Sequence, residues 1–284
     1  MAVRRFPDLA RSAGVGLLLL ALGTLPALSA AGAGVDSKLE QILAGSHRDP
    51  KNAARDVYRH PKQGLLFFGI QPDMTVVEVW PSGGWWTEIL APLLKDRGTY
   101  YAAWYATQAE GTSDFAKEQE KKFDAKLAAR PDLYGKVIKT HLLAPAYVDL
   151  APKGSVDLVL TFRNVHNWAK AGNADAMFKT FYDVLKPGGI LGVVDHRAMP
   201  GTPFQRQVEN GYLTEEYVIG LAERAGFKFA EKSEVNANPK DTTDHPKGVW
   251  TLPPTLALGD KDRDKYLAIG ESDRMTLKFV KPVR

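Results

Sequence analysis

The sequence contains no cysteine among its 284 residues. Disulfide bonds, thiolate nucleophiles, lipidated cysteines and cysteine-ligated zinc are therefore all excluded. Internal repeats and long low-complexity segments are also lacking. With 44% hydrophobic and 10% aromatic residues, the composition is that of an ordinary globular protein.

A strong charge of one sign is missing as well. The formal net charge is +4, and part of it belongs to residues 1–33, which are predicted to be removed. Without that segment, which carries three basic residues and one acid, the net charge falls to +2. Because nucleic-acid-binding proteins carry a larger basic excess, we expect no nucleic acid partner.

Residues 1–33 have the pattern of a secretory signal peptide. A basic start precedes an apolar run centred on residues 17–25, and small residues follow. This pattern predicts cleavage between Ser29 and Ala33. The alternative is a membrane anchor, which needs about 20 mainly apolar residues, but Pro26 and the small residues shorten this run. We therefore expect a periplasmic or secreted protein without a stable membrane anchor.

Strand-like and helix-like segments alternate through the rest of the chain, which we interpret as one domain over residues 34–284. This alternation predicts an α/β fold with an open, mostly parallel sheet and helices on both faces. A polar helical segment is expected at 36–63, and a long, lid-like insertion is expected at 236–273. The seven predicted strands are 74–80, 99–106, 136–143, 156–165, 190–198, 227–235 and 274–282.

The first predicted strand runs into the sequence Glu78-Val-Trp-Pro-Ser-Gly-Gly-Trp-Trp-Thr87. Glycines let the backbone approach a ligand closely, and the N-terminus of the following helix offers free amide donors. In open α/β sheets, ligands bind at the carboxyl ends of the strands near the topological switch point. The turn is therefore a candidate ligand-binding segment.

With this turn, and with Lys-Pro-Gly-Gly at 186–189 before the fifth strand, the sequence resembles the class I S-adenosylmethionine-dependent methyltransferases. It looks most like predicted methyltransferases of Gram-negative bacteria that carry export signals. The resemblance spans about His60 to Lys281. It implies a Rossmann-like methyltransferase fold, S-adenosylmethionine as the cofactor and a small-molecule substrate.

The cofactor motif departs from the pattern of that family. Glu78 and Gly84 match the motif, but Trp80 and Ser82 stand where the family has glycines, and Gly83 is expected to restore part of the lost backbone freedom.

A second departure lies at the end of the second strand, where Trp104 stands at the position of the acid that holds the ribose hydroxyls in the family. The resemblance makes all these residues candidates for cofactor binding, while the departures favour a scaffold that has lost the cofactor.

The segment Thr161-Phe-Arg-Asn-Val-His-Asn-Trp168 after the fourth strand resembles the His-Asp-Trp segment of small-molecule O-methyltransferases. By that resemblance His166 acts as the general base that takes a proton from a substrate hydroxyl. An imidazole is suited to this because its ordinary pKa lies near 6.5. The alternative is a histidine that orders the loop by hydrogen bonding.

Asp195 and His196 end the fifth predicted strand, which the family's strand order places beside the fourth. They are therefore expected near His166, where Asp195 could orient an imidazole. Two histidines and one carboxylate could also hold a metal ion, but no short ligand spacing supports one. Arg163 is a candidate for a cofactor carboxylate, an acidic substrate or a structural ion pair.

The six tryptophans are concentrated near predicted carboxyl ends of strands or in the insertion. An aromatic-walled pocket would attract the sulfonium of the cofactor, since a tryptophan face binds a cation with roughly 0.5–2 kcal/mol. The alternative is ordinary packing of the lid and helices against the sheet. They are Trp80, Trp85, Trp86, Trp104, Trp168 and Trp250.

Three functions follow from these patterns. The first is an exported methyltransferase acting on a hydroxyl or similar nucleophile of a small molecule. The second is a small-molecule-binding protein on a methyltransferase scaffold without the cofactor. The third is another reaction in the same pocket, with His166, Asp195 and His196 as the acid-base groups.

Overall fold

A computed structural model describes residues 1–2, 30–109 and 111–283 of the chain. Its central sheet has eight strands, of which the five central ones are parallel. The strands are β1 (Thr75–Val79), β2 (Thr99–Tyr105), β3 (Ile138–Leu143), β4 (Tyr147–Asp149), β5 (Val156–Phe162), β6 (Leu185–His196), β7 (Lys228–Ser233) and β9 (Arg274–Val280), with β8 (Pro246–Val249) outside the sheet. Their order across the sheet is β4-β3-β2-β1-β5-β6-β9-β7. The predicted α/β class is confirmed.

The central strands are apolar on both sides because the sheet has a hydrophobic core on each face. In β1, Val76 packs into one core, whereas Val77 and Val79 pack into the other, as the alternation of side chains along a strand requires. Buried residues on both faces explain why β1 reads as a nearly continuous apolar run.

The sheet has one strand more than the seven predicted. The additional strand, β4, pairs antiparallel with β3 at the edge of the sheet. It contains only three residues, none of them buried. A strand this short and this exposed carries no apolar run, so the sequence pattern gave no sign of it.

Helices cover both faces of the sheet, as predicted. The face that contains Val77 packs against α8, α9 and α11, and the other face packs against α1, α4, α5 and α6. The helices are α1 (Ala30–Leu43), α2 (Pro50–Ala53), α3 (Asp56–Arg59), α4 (Pro61–Phe68), α5 (Thr87–Leu94), α6 (Asp114–Ala129), α7 (Pro131–Tyr134), α8 (Val165–Ala171), α9 (Ala174–Val184), α10 (Phe204–Asn210), α11 (Glu215–Ala225) and α12 (Arg263–Ile269).

The N-terminal segment predicted as helical at 36–63 is a series of short helices, α1 to α4. In α1, the side chains of Val35, Leu39 and Ile42 are buried in the core on that face of the sheet. Residues 3–29, which make up most of the predicted signal peptide, lie outside the described residues. No helix within the described part of the chain is long and apolar enough to cross a membrane.

The insertion at 236–273 contains β8 and α12, and hydrogen bonds join its two ends. The Asn238 amide nitrogen donates to Asp273 Oδ1 at 2.8 Å, and its side-chain nitrogen donates to the carbonyls of Ile269 and Glu271 at 2.9 and 2.7 Å. Both ends of the insertion are thereby joined beside the start of β9.

The strand order reverses between β1 and β5: strands β2 to β4 are added on one side of β1, and β5 and β6 on the other. The parallel strands β1 and β5 are therefore neighbours in the sheet although β2, β3 and β4 lie between them in the sequence. The segments that leave these two strands therefore diverge at the carboxyl edge and open a crevice there. This crevice lies at the position predicted for the ligand site.

Candidate functional site

The turn after β1 keeps the backbone conformation that glycines usually supply. Trp80, Ser82 and Gly84 have φ values of 52°, 53° and 75°, all in the left-handed region. For a residue with a side chain this conformation costs about 1–2 kcal/mol, and such strain is concentrated at functional sites in proteins. Gly83 does not have a positive φ, so the expectation that it restores the lost freedom is wrong.

Gly84 is required for a close approach as well as for its φ. A Cβ atom at Gly84 would lie 3.1 Å from the Phe123 ring and 3.3 Å from the Lys126 side chain, both on α6. Lys126 Nζ in turn donates to the Gly83 carbonyl at 3.1 Å. The helix α6 therefore holds the turn in place.

Glu78 at the end of β1 is buried under the turn. Its Oε2 atom accepts hydrogen bonds from the hydroxyls of Thr87, at 3.1 Å, and Tyr100. Burial raises the pKa of the Glu78 carboxyl from 4.5 to about 7, although these two hydroxyl groups act in the opposite direction. Near neutral pH the carboxyl is therefore held between its protonated and ionised forms.

Three adjoining cavities lie along the carboxyl edge of the sheet. The turn cavity, of about 510 Å³, lies over the turn after β1, between Arg59 and Arg163. The aromatic cavity, of about 230 Å³, shares Trp80 and Ser82 with it. The histidine cavity, of about 190 Å³, shares Arg163 with the turn cavity and is lined on one side by residues 249, 250 and 253–255 of the insertion. Together they form one crevice across the switch point.

The sequence-predicted residues are distributed over these cavities. Glu78, Trp80, Ser82, Gly83 and Arg163 line the turn cavity. Trp104 lines the aromatic cavity, and His166 and His196 line the histidine cavity.

The two other predicted residues lie behind the cavity walls. Gly84 packs against α6 instead of lining the turn cavity. Asp195 is fully buried behind His166.

The tryptophans divide between packing and cavity walls. Four of them, Trp85, Trp86, Trp104 and Trp168, are buried, of which Trp168 is completely so. Trp86 stacks on Phe162 with ring centroids 3.9 Å apart. Both interpretations drawn from the sequence therefore apply, because buried indoles such as those of Trp85 and Trp86 also form walls of the turn cavity.

Trp80 reaches across the end of the neighbouring strand. Its indole nitrogen donates to the Leu142 carbonyl in β3 at 2.9 Å, and its ring contacts Tyr105 edge-on at 5.1 Å between centroids. Because β2 lies between β1 and β3, the Trp80 indole extends over the carboxyl end of β2. That is where the methyltransferase family has the ribose-binding acid.

Trp104 packs on the other face of the sheet from Trp80. It stacks on Phe123 of α6, with ring centroids 4.8 Å apart. Its indole nitrogen is buried and has no hydrogen-bond partner in the described structure. Among the described residues, no carboxylate lines the aromatic cavity beside it. Polar side chains that line it include those of Ser82, Tyr105, Gln119 and Asn164.

His166 and Asp195 form a directed pair. His166 Nδ1 lies 2.8 Å from Asp195 Oδ1, and the His166 backbone nitrogen donates to Asp195 Oδ2 at 3.0 Å. A carboxylate only accepts hydrogen bonds, so Nδ1 carries the proton and Nε2 is the basic nitrogen. Nε2 has no partner among the described residues, and His166 borders the histidine cavity. The geometry is that of a base oriented by an acid.

His196 is held neutral beside this pair. Burial, followed by the nearby His166 and Arg163 charges, lowers the pKa of His196 well below its usual value. Arg163 Nε donates to His196 Nε2 at 3.5 Å, so His196 Nδ1 carries the proton and donates to the Ser272 hydroxyl. His196 therefore holds Arg163 and Ser272 by hydrogen bonds and is poorly suited to accept a proton.

The same three residues, His166, Asp195 and His196, are also candidate metal ligands. Ligand atoms of His166, Asp195 and His196 lie within 4.8 Å of one another. Two of those atoms are already joined by the 2.8 Å hydrogen bond between His166 and Asp195. The Arg163 guanidinium beside His196 opposes the approach of a cation. The arrangement is better suited to moving a proton than to binding a divalent ion.

Sequence reasoning missed a group of arginines at the same edge. Arg55 and Arg59 line the turn cavity together with Arg163, whose φ is 64°. Glu271 lines the histidine cavity and pairs with Arg55 at 2.6 Å. The signal in the sequence was the spacing of two arginines by four residues before Pro61, but nothing there placed them near Arg163.

Neither the family models nor the curated proteins provide a match to this chain. Solved structures do match its fold. A putative sarcosine dimethylglycine methyltransferase from Galdieria sulphuraria has a TM-score of 0.55 and 12% identity, over 88% of this chain and 98% of that one. The [4+2]-cyclase SpnF has a TM-score of 0.54 and 17% identity, over 89% and 95% of the two chains. The chain has the Rossmann-like methyltransferase fold.

A third structure, a SAM-dependent methyltransferase from Aquifex aeolicus, has a TM-score of 0.50 and 17% identity, over 87% of this chain and 98% of that one. Identities this low establish the fold alone. The presence of a cyclase among the similar structures agrees with the general rule that function depends on the site.

Replacing Glu78 by glutamine should remove a pH dependence of stability. An acid whose pKa is raised in the folded state, here from 4.5 to about 7, binds its proton more tightly folded than unfolded. The free energy of unfolding therefore falls as the pH rises through this range, by about 3 kcal/mol in total. Thermal unfolding is followed by circular dichroism. The Tm of Glu78→Gln minus the Tm of wild type should increase as the pH is raised from about 5 to about 8.

The control for this experiment is Glu216→Gln, because Glu216 is exposed on α11. Its Tm difference from wild type should not change with pH. A constant Tm difference for Glu78→Gln over the same range would contradict the raised pKa.

Proposed function

We propose that this protein is an S-adenosylmethionine-dependent methyltransferase that transfers a methyl group to a small-molecule nucleophile, with a hydroxyl favoured. The observation that carries the proposal is the His166–Asp195 pair, whose free Nε2 borders a cavity adjoining the one over the turn after β1. A base beside a cofactor-sized crevice is what methyl transfer to a hydroxyl requires.

The residues of the crevice fit the cofactor. The turn cavity, of about 510 Å³, is within the range of about 300–1,000 Å³ for small-molecule sites, and the aromatic cavity adds about 230 Å³ beside it. The turn residues 80–84 would hold the amino-acid part, as the left-handed backbone at Trp80, Ser82 and Gly84 supports. The Gln119 side chain would donate to or accept from the ribose hydroxyls, and the unpaired Trp104 indole nitrogen would donate to them.

The cofactor supplies an activated methyl group on a sulfonium centre. The chain supplies positioning and a proton acceptor: His166 Nε2 takes the proton of the acceptor hydroxyl. Asp195, bound to Nδ1 at 2.8 Å, then stabilises the positive imidazolium. General base catalysis of this kind contributes about 10²–10⁴-fold in rate. The insertion lines this cavity through Trp250 and residues 253–255 and would limit the access of water to the bound acceptor.

A second candidate is a small-molecule-binding protein on this fold without the cofactor. It is favoured by the Trp80 indole, which extends over the end of β2, and by an aromatic cavity whose described lining residues include no carboxylate. An exported protein would also need a supply of a charged cofactor that does not cross a bilayer unaided.

We also propose that the protein is exported and acts in the periplasm or outside the cell, after cleavage between Ser29 and Ala33. The basic start and the apolar run before it support this. Cleavage there would retain Val35, Leu39 and Ile42, the buried face of α1. Expression of the full chain in a Gram-negative host should give a periplasmic product whose mass corresponds to a start between residues 30 and 34. An uncleaved chain in the cytoplasm would contradict this.

Calorimetric titration of residues 34–284 with S-adenosylmethionine and S-adenosylhomocysteine tests the cofactor. We expect a Kd below about 100 μM, near −5.5 kcal/mol. Trp104→Phe retains the stacking on Phe123 but removes the unpaired indole nitrogen, and should weaken binding by about five-fold through loss of one hydrogen bond.

The matched control for Trp104→Phe is Trp250→Phe, because Trp250 lines only the histidine cavity. It should leave the Kd of the cofactor unchanged. Folded protein that shows no heat with either ligand at several temperatures would favour the second candidate.

Replacing His166 by glutamine should separate chemistry from cofactor binding. With the first acceptor that supports formation of S-adenosylhomocysteine, His166→Gln should lower kcat by about 10²–10⁴-fold. The Kd for S-adenosylmethionine should remain within about two-fold of wild type, since His166 lines a different cavity.

The control is His245→Gln. His245 Nε2 also pairs with an aspartate, Asp241, at 2.8 Å, but it lines none of the three cavities. Its kcat should equal that of wild type. If His166→Gln retained full kcat, the histidine would only order the loop.

A further inference from the structure

Four arginine side chains meet where the turn cavity and the histidine cavity adjoin. Arg55 and Arg59 come from the segment of α3, Arg163 follows β5, and Arg274 begins β9. Three of them share one carboxylate, Glu271, with nitrogen–oxygen distances of 2.6 Å for Arg55, 3.5 Å for Arg59 and 2.9 Å for Arg274. These four side chains form the arginine cluster.

The arginine cluster carries more positive charge than its surroundings compensate. Within the described residues, Arg55, Arg59 and Arg274 have Glu271 as their only carboxylate at salt-bridge distance. Arg163 has no carboxylate at that distance among the same residues. Asp195 is engaged by three N–H groups, two from His166 and one from His196. Burial lowers the pKa of Arg163 to about 10 and the pKa of Arg274 below its usual value, and the charges of neighbouring arginines lower both further against the opposing charge of Glu271.

The cluster also has hydrogen-bond donors without acceptors. Arg55 Nη2 and Arg274 Nε are buried and have no hydrogen-bond partner in the described structure. Arg59 Nε lies 3.5 Å from Glu271 Oε2 but also makes no hydrogen bond there. Arg59 and Arg274 are only 8% and 3% exposed. Unpaired buried donors on charged groups are strongly unfavourable unless a ligand satisfies them. Since Arg55, Arg59 and Arg163 line the turn cavity, such a ligand has a route to them.

S-adenosylmethionine by itself does not supply the missing negative charge. It carries one carboxylate, but also an ammonium and a sulfonium, so its net charge is positive. Its binding in the crevice would add to the excess that the cluster already has. The balancing charge must therefore come from a second ligand, which in a methyltransferase is the methyl acceptor.

We propose that the arginine cluster binds a phosphate monoester group of the methyl acceptor. The assignment of this anion to the acceptor rests on the proposed function, whereas the anion site itself rests on the arginines. A phosphate monoester carries about −1.5 to −2 charge at pH 7 and three acceptor oxygens. Guanidinium groups that converge from different segments match this number and geometry of oxygens better than they match a single planar carboxylate.

The position of the cluster limits the size of the acceptor. Arg163 lines both the turn cavity and the histidine cavity, and its Nε atom lies 3.5 Å from His196 Nε2. The His196 ring lies 5.0 Å from that of His166 between centroids. An acceptor held by its phosphate at Arg163 would therefore present a hydroxyl to His166 across a short carbon chain.

The anion site is tested without the cofactor. The unfolding temperature of residues 34–284 is measured with inorganic phosphate, acetate and citrate at constant ionic strength. We expect phosphate, at about one hundred times its Kd, to raise Tm by about 5 °C or more, and acetate to have no effect. Citrate more effective than phosphate would overturn the phosphate assignment in favour of a polycarboxylate.

Variants distinguish an anion site from a structural ion cluster. Arg163→Gln removes a charge that has no carboxylate partner, and Arg59→Met removes one of three charges that share Glu271. Both should therefore raise Tm in the absence of phosphate and reduce the phosphate-dependent rise at least two-fold. Arg197→Gln is the matched control, because Arg197 is compensated by Glu215, Glu234 and Asp273. It should lower Tm and leave the phosphate-dependent rise unchanged.

The opposite result for the cluster variants, a lower Tm together with an unchanged phosphate response, would overturn the anion site. Since the prediction is a gain of stability, a variant that fails to fold also counts against it.

A titration with both ligands separates this inference from the proposed function. If phosphate belongs to the acceptor, it should bind together with S-adenosylmethionine and lower the Kd of the cofactor at least three-fold. Competition between them would assign the cluster to the cofactor carboxylate and overturn the acceptor assignment. Phosphate binding without any cofactor binding would refute the methyltransferase proposal but leave the anion site, and cofactor binding without a phosphate effect would do the reverse.

Discussion

The parallel pairing of β1 with β5 is the constraint on which the candidate site depends. Because the two strands run side by side, at Val76–Val79 and Leu158–Thr161, the turn after one and the loop after the other leave the sheet at the same edge. The first turn carries the strained Trp80 and Ser82, and the second carries Arg163 and His166. Side chains separated by about eighty positions therefore face one crevice.

Asp195 positions the candidate base of the site. It is completely buried, and it accepts hydrogen bonds from the backbone and ring of His166 and from the backbone of His196. A buried carboxylate is tolerated when hydrogen bonds satisfy its oxygens. The same bonds set the tautomer of His166 and the start of α8, so one side chain positions both the base and the helix that carries it.

The site combines features that are unfavourable for the empty fold. Trp80, Ser82 and Arg163 have left-handed backbones, Glu78 has a raised pKa, and the Trp104 nitrogen and several guanidinium nitrogens are buried without partners. Each reduces stability, and all lie at the carboxyl edge of the sheet. Such features persist where binding makes use of them, which is why their concentration indicates a ligand site independently of the fold.

The sequence by itself determined most of the sheet, because strands buried on both faces are apolar throughout and end at recognisable turns. It also determined that Asp195 would lie near His166, since the ends of adjacent parallel strands are neighbours. It did not determine β4, which is short and exposed, or that Ser82 would keep a glycine conformation. Only the tertiary structure decided that Arg55, Arg59 and Arg274 share Glu271 in a cluster with Arg163. Charge balance depends on distances between segments far apart in the chain, and those distances exist only after folding.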